Sequence, residues 1–397
     1  MYSVLNIKDS TIRPLPFPYC GALSISNDCE FMSYDFFEKF MEFLNTSNET
    51  RFGKGVELEV TSSLFFYSED PYSLSYFSSL NSNSKKNEYS SRIDEYLTSK
   101  WIDTIHSYGN FDGKGGFTRE HAISCFKVLK KLNIKIEIFT NHGDNFNYQN
   151  IGKDATYHRG DIKDDVAYHV DLLKENGVQY VWTDSMITQK NNSRKPIFWN
   201  KKVNLLFQCI LRDGNIFKGF NRFRSTGVVA PNISSLNYQL NQINWKKFYS
   251  DNGIIIIYQH LGVLTKSMGE IQISTIENIL KRKKLFLLPF YFMKKENQEG
   301  RLWVPGLRRI LRYVDMVESI TIVRNEKNRE YEIIHTPDIY IENPQDYFQG
   351  LTIYINPNNK ITLRYKDKFL AFVKNGPDEN GLYSISIPMK QLGDVWK

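Results

Sequence analysis

The chain has only four cysteines, Cys20, Cys29, Cys125 and Cys209, and none stands in a Cys-x-x-Cys pair, which argues against a structural zinc site or a disulfide framework. No run reaches about 18 apolar residues, so no membrane-spanning helix is expected. The start, Met1-Tyr2-Ser3-Val4-Leu5, lacks the basic-then-apolar order of a signal peptide. The net charge of +7 is spread along the chain, with neither a basic stripe nor a nucleic-acid-binding module, so no nucleic-acid partner is expected. No Gly-x-Gly-x-x-Gly turn follows the first apolar run, which disfavours a dinucleotide-binding sheet. These absences leave a reduced, cytoplasmic, globular protein.

Its 397 residues exceed one ordinary core, so a large domain plus a small one is expected. Strand-like and helix-like runs alternate through about residue 262, the pattern of an α/β fold. The strand candidates are residues 22–26, 56–61, 101–105, 134–139, 178–181, 205–211 and 254–257. Ser33 is placed to cap a helix carrying Phe36, Phe37, Phe40, Met41 and Leu44, and Asp161 to cap one over 162–175. Another helix is expected from Thr118 to Leu132, and residues 68–99 read as a polar insertion. A closed or nearly closed barrel of seven or eight parallel strands is expected over 1–315, with a small antiparallel β domain, sandwich-like, over 316–397.

Polar residues stand just past five of the apolar runs, where parallel α/β folds collect their functional side chains. Asp28 ends the first; period two puts it on one face with Ser24 and Ser26, opposite Leu23 and Ile25. His106 ends another, before the glycine-rich stretch Gly109 to Gly116. A carboxylate and a histidine on neighbouring strand ends suit a divalent ion, and His142 in Asn141-His142-Gly143-Asp144 is a third ligand candidate. Trp182 and Asp184 pair a ring with an acid able to orient a histidine. His260, in Tyr258-Gln259-His260-Leu261-Gly262, is the candidate general acid. The bland alternatives are a helix-capping Asp28, a turn at 141–145 and a core-packed Trp182, with His158 and His169 in supporting roles.

The order of these segments resembles the polysaccharide deacetylase family of metal-dependent carbohydrate esterases. The family's paired aspartates correspond to Asn27-Asp28, its His-Ser/Thr-x-x-His motif to His106-Ser107-Tyr108-Gly109-Asn110, and its late histidine strand to Tyr258-Gln259-His260. Within the family the segments are most similar to a branch acting in bacterial O-antigen biosynthesis. The resemblance implies a distorted seven-stranded (β/α) barrel, a divalent ion (zinc foremost) on Asp28, His106 and His142, and an acyl group removed from a surface polysaccharide or its precursor. It departs at Asn27, the usual base position, and at Asn110, the usual second histidine. Another carboxylate must then activate water, with Glu30, Asp112 and Glu59 as candidates. The catalytic set is accordingly His260, Glu30 and Asp184, and the substrate-binding set is Asn27, Tyr108, Asn110, Arg119, Asn141, Asp144 and Trp182.

Two rival readings keep the same barrel: glycosidic cleavage by two carboxylates, or glycan binding without turnover. Lys281-Arg282-Lys283-Lys284, apolar residues 285–293 and Lys294-Lys295 form a basic-flanked patch. It is read as a buried segment with solvated ends, or as a peripheral contact with an anionic membrane.

Overall fold

Four consecutive isoleucines at 254–257 are covered on both faces, and such a run is stable only as a strand buried between two layers. The computed structural model describes residues 11–143, 145–153, 155–183, 204–224, 231–267, 270–325, 330–358 and 361–396. Its main strands are β1 (Gly21–Asn27), β2 (Ser62–Tyr67), β3 (Ile102–His106), β4 (Ile138–Thr140), β5 (Tyr180–Trp182), β6 (Leu206–Ile210), β7 (Ile216–Phe220) and β8 (Ile254–Gln259). They lie in the order β8-β1-β2-β3-β4-β5-β7-β6, with Leu302–Trp303 added beside β1 and Ser75–Phe77 beside β2. Every pairing in this sheet is parallel except that of β6 with β7. Just past β7 the backbone returns to β8: Phe223 N donates to Ile256 O at 2.7 Å, and Tyr258 N to Phe223 O at 3.0 Å.

Two strand expectations are corrected. Residues 56–61 alternate as expected, with Val56, Leu58 and Val60 buried, yet they join no sheet. Their amides bond the end of the preceding helix instead, Val56 N to Phe43 O and Leu58 N to Leu44 O, and the strand is the following Ser62–Tyr67. Of the segments at the sheet's end, β6 falls within the expected 205–211 but runs antiparallel at the edge. The parallel member beside β5 is β7, whose exposed Ile216 and Lys218 disguise it as surface.

Of the two expected caps, Ser33 caps its helix and Asp161 does not. Ser33 Oγ accepts from Phe36 N at the start of Tyr34–Asn45, and Thr118 opens Arg119–Lys131. The helix expected over 162–175 shortens to Val170–Glu175, and Asp161 turns inward to pair with Arg212 rather than capping it. The expected insertion 68–99 holds the strand Ser75–Phe77 and the helix Ser90–Ser99.

One face of the sheet, with Leu23, Ile25, Ile255 and Ile257, packs under the surrounding helices. The other begins with Ala22, Ile138, Tyr180, Ile254 and Ile256, which share a core with Leu307, Ile310, Leu311 and Val314 of the helix Leu307–Ser319. That helix spans the expected boundary at 315/316. Beyond it stand two small sheets, one of Ile320–Asn325, Glu330–His335, Thr362–Tyr365 and Lys368–Phe369, the other of Thr352–Tyr354, Ser384–Ser386 and Val373–Asn375. One of their pairings, Glu330–His335 with Thr362–Tyr365, is parallel.

Candidate metal centre

The second face of the sheet grows polar towards the strands' C-terminal ends, and four ends converge there. Asp28 and Glu30 follow β1, His106 closes β3, His142 follows β4 and His260 follows β8; all five are buried. Glu30 Oε1 is the hub, 3.0 Å from His106 Nε2, 2.8 Å from His142 Nδ1 and 3.5 Å from His260 Nε2. Asp28 Oδ2 lies 3.7 Å from His106 Nε2.

Each histidine except His142 is fixed through the nitrogen that faces away from the hub. His106 Nδ1 donates to Thr140 Oγ1 at 2.7 Å, and His260 Nδ1 to the Pro231 carbonyl at 2.8 Å, tautomers inferred from the hydrogen-bond network. Both then turn Nε2 towards Glu30, as second-sphere partners orient metal-ligating imidazoles. Tyr258 hydroxyl stands 3.1 Å from the same His260 nitrogen. The Phe65 ring packs on His106 and His142, with centroids 5.0 and 4.9 Å away, and keeps water off both.

Arg222 completes the cluster from the segment after β7. Its Nη1 donates to Asp28 Oδ1 at 2.9 Å and Ser26 Oγ at 3.0 Å, and its guanidinium lies 3.7 Å from the Trp182 ring centre and 4.0 Å from that of Tyr258. Asp112 approaches His142 Nε2 at 3.2 Å from the outer side.

Charge decides what the cluster can hold. Three carboxylates, Asp28, Glu30 and Asp112, face the Arg222 guanidinium, with Arg224 farther out over the same Trp182 and Tyr258 rings, which leaves a net negative charge for imidazolium protons or a divalent cation to balance. Burial by itself would raise the Glu30 carboxyl, but His106, His260 and His142 hold it well below the usual range. Burial, the largest single effect on each, opposes charge on His142 and His260 too; Glu30 and Asp112 together hold His142 up to about 10, and Glu30, Asp28 and the Pro231 carbonyl together raise His260.

The donor set also fits a metal ion. Oxygen and nitrogen atoms of Glu30, His106 and His142 lie within 4.8 Å of one another, as do those of Asp28, Glu30 and His260. Asp28 Oδ2, Glu30 Oε2 and both ring nitrogens of His142 are buried without an aligned hydrogen bond. Buried ligand atoms such as Asp28 Oδ2 and His142 Nδ1, which face the Glu30 hub and make no aligned hydrogen bond, are what an ion would use.

The substrate-binding candidates scatter. Asn27 braces the strand ends, donating to Ser62 Oγ at 2.9 Å and accepting from Leu261 N at 2.9 Å. Asn141 clamps its own loop through the N–H and C=O of Ile151. Asn110 Oδ1 accepts from Asp112 N in a turn. Tyr108 is buried against His169, its hydroxyl 3.1 Å from Nδ1, and Arg119 pairs with Asp171. Trp182 packs against Arg222 in the interior. Asp184 and Asp144 lie outside the described residues. Of the other candidates, Glu59 points to the opposite end of the sheet, where it accepts from Arg309 and from Gly306 N at the start of the helix Leu307–Ser319. His169 is a buried residue just before its helix, and His158 is buried too.

Arg222 escapes the sequence reading because its strand does: an arginine past an unrecognised edge-like run carries no signal. Asn150 escapes as well, although it ties two of the strand ends together, accepting from Ser107 Oγ at 2.6 Å and His142 N at 3.0 Å. Ser107 and Tyr108 both hold positive φ, at 50° and 58°, a costly pair of left-handed non-glycine residues directly after His106. No family model, curated protein or solved structure matches the chain.

Proposed function

We propose that the chain is a metal-dependent hydrolase that removes an acyl group, N-acetyl foremost, from a bacterial surface polysaccharide or its precursor. The observation that carries this reading is the single carboxylate oxygen of Glu30 lying within 3.5 Å of three imidazoles from three different strand ends. The seven strands β8-β1-β2-β3-β4-β5-β7 and the backbone bridge from Phe223 to Ile257 favour a distorted barrel as its frame.

Glu30, His106 and His142 would hold the ion, zinc or another divalent metal. When bound, it supplies a Lewis acid that polarises the acyl carbonyl and lowers the pKa of water. The geometry favours exchanging two roles assigned from sequence. Glu30, at the hub, is the ligand, and Asp28, oriented by Arg222 with Oδ2 turned to the site, accepts the proton from water. His260, whose proton is supported by Glu30, donates it to the leaving amine. Tyr157, whose hydroxyl donates to the carbonyl of Gly143 next to His142, suits a sugar better than the enclosed Trp182 does.

Glycosidic cleavage fits less well. It needs one carboxyl kept protonated, whereas Glu30 is held ionised and Asp28 is salt-bridged. The test combines metal content of the wild type, Glu30→Gln and His106→Ala with acetate release from N-acetylated oligosaccharides. Bound metal lost in both variants, with acetate release abolished by chelation, is expected; full occupancy in both, or chain shortening without acetate, overturns the reading.

A further inference from the structure

The basic-flanked segment near residue 285 is neither fully buried nor fully solvated. Helices Ile276–Lys281, Lys283–Phe286 and Leu288–Gln298 follow one another there, and their inner faces bury Ile276, Ile279, Phe286, Phe290 and Met293. Their outer face leaves three large apolar side chains in water: Leu285 at 46%, Leu288 at 56% and Tyr291 at 40%. Around these stand Lys281, Arg282, Lys283 and Lys284, all exposed and, among the described residues, without a side-chain hydrogen bond or ion pair. The hairpin of Glu49–Thr50 and Gly53–Lys54 abuts Tyr291 and adds exposed Arg51 and Lys54. Against these six cations the hairpin and the two short helices carry only Glu49 and Glu277.

Apolar side chains ringed by unpaired cations fit a surface that is both greasy and anionic. A second copy of the chain fits poorly, because a two-fold contact would set this patch against itself and bring like charges together.

We propose that this face seats the protein on an anionic lipid bilayer, with Leu285, Leu288 and Tyr291 at headgroup depth and the lysines and arginines on lipid phosphates. The placement relates the bilayer to the metal centre. Helix Lys283–Phe286 packs on the turn Ile233–Ser235, whose capping residue Asn232 bridges to His260 through the backbone. The membrane face and the His260 side of the site are therefore built on adjoining elements, as a lipid-anchored substrate requires. That last step rests on the proposed hydrolase; the membrane contact does not.

The experiment is co-sedimentation of the full chain with phosphatidylcholine vesicles, with and without phosphatidylglycerol. Binding is expected only with the anionic lipid and is expected to fall as salt is added. Each basic residue near such a surface strengthens binding by about fivefold, so Lys281→Gln/Lys283→Gln/Lys284→Gln should weaken it on the order of 100-fold. Leu285→Ser/Leu288→Ser should weaken it at every salt concentration. All five positions are exposed, so both variants should keep the wild-type circular dichroism and metal content. No binding to either vesicle, equal binding to both, or a dimer in solution that Leu285→Ser/Leu288→Ser dissociates would overturn the proposal. Because metal content is measured on the same samples, this failure is distinguishable from failure of the hydrolase reading.

Discussion

Arg222 and Asp28 form an ion pair at 2.9 Å between side chains no more than 1% exposed, although 194 residues separate them. Trp182 and Tyr258 enclose the guanidinium, so neither charge reaches water. Removing one partner strands the other, and breaking a buried pair this way costs about 3–5 kcal/mol. Arg222→Ala should therefore lose stability on that scale in chemical denaturation, and Asp28→Asn/Arg222→Ala should lose less than the two single changes added together. Strict additivity would mean that the pair does not interact.

Thr140 anchors His106 without touching the hub. Thr140→Val removes the oxygen that fixes His106 Nδ1 while keeping the side chain's shape. Loss of such a second-sphere partner weakens metal binding about 10–100-fold. Competition with a chromophoric chelator measures this, and an unchanged dissociation constant would rule out a positioning role for Thr140.

His169 makes the fold sensitive to acid. Burial pushes its pKa down to about 4, and the neutral ring bonds the Tyr108 hydroxyl and the Gln149 carbonyl. The folded value lies below the unfolded one of about 6.5. Its contribution is thus complete above pH ~6.5 and is lost as pH falls towards 4, to the extent of about 3 kcal/mol. Denaturation midpoints from pH 7 to 4 should fall more steeply in the wild type than in His169→Gln; parallel curves would refute the assignment.

Two glycines of one loop should respond differently. A Cβ on Gly109 would collide with the Tyr67 backbone carbonyl, whereas Gly113, at φ 67°, has open space around it. Gly113→Ala should cost only the left-handed backbone penalty of about 1–2 kcal/mol. Gly109→Ala should cost more and should weaken metal binding, because Gly109 follows His106 by three residues. Equal melting temperatures for the two variants would contradict this.

Local chemistry by itself determined much of this chain. The isoleucine run, the serine face of β1 and the caps at Ser33 and Thr118 depend on neighbours in sequence, so each was legible there. Asp28, His106, His142 and His260 were legible for the same reason, each standing where an apolar run gives way to polar residues, whereas Glu30 entered only as a substitute for the base that Asn27 could not supply. Tertiary structure alone decided which polar groups those five meet. Arg222 reaches Asp28 only because β7 lies beside β5 and its continuation crosses to β8, a pairing that no local pattern encodes. Asn27, Asn141 and Tyr108 became braces rather than substrate contacts because buried backbone and ring groups across the fold needed their hydrogen bonds. The alternation at 56–61 went the same way: a period of two specifies an extended segment with two faces, but the free carbonyls at a helix end, not another strand, supplied its partners.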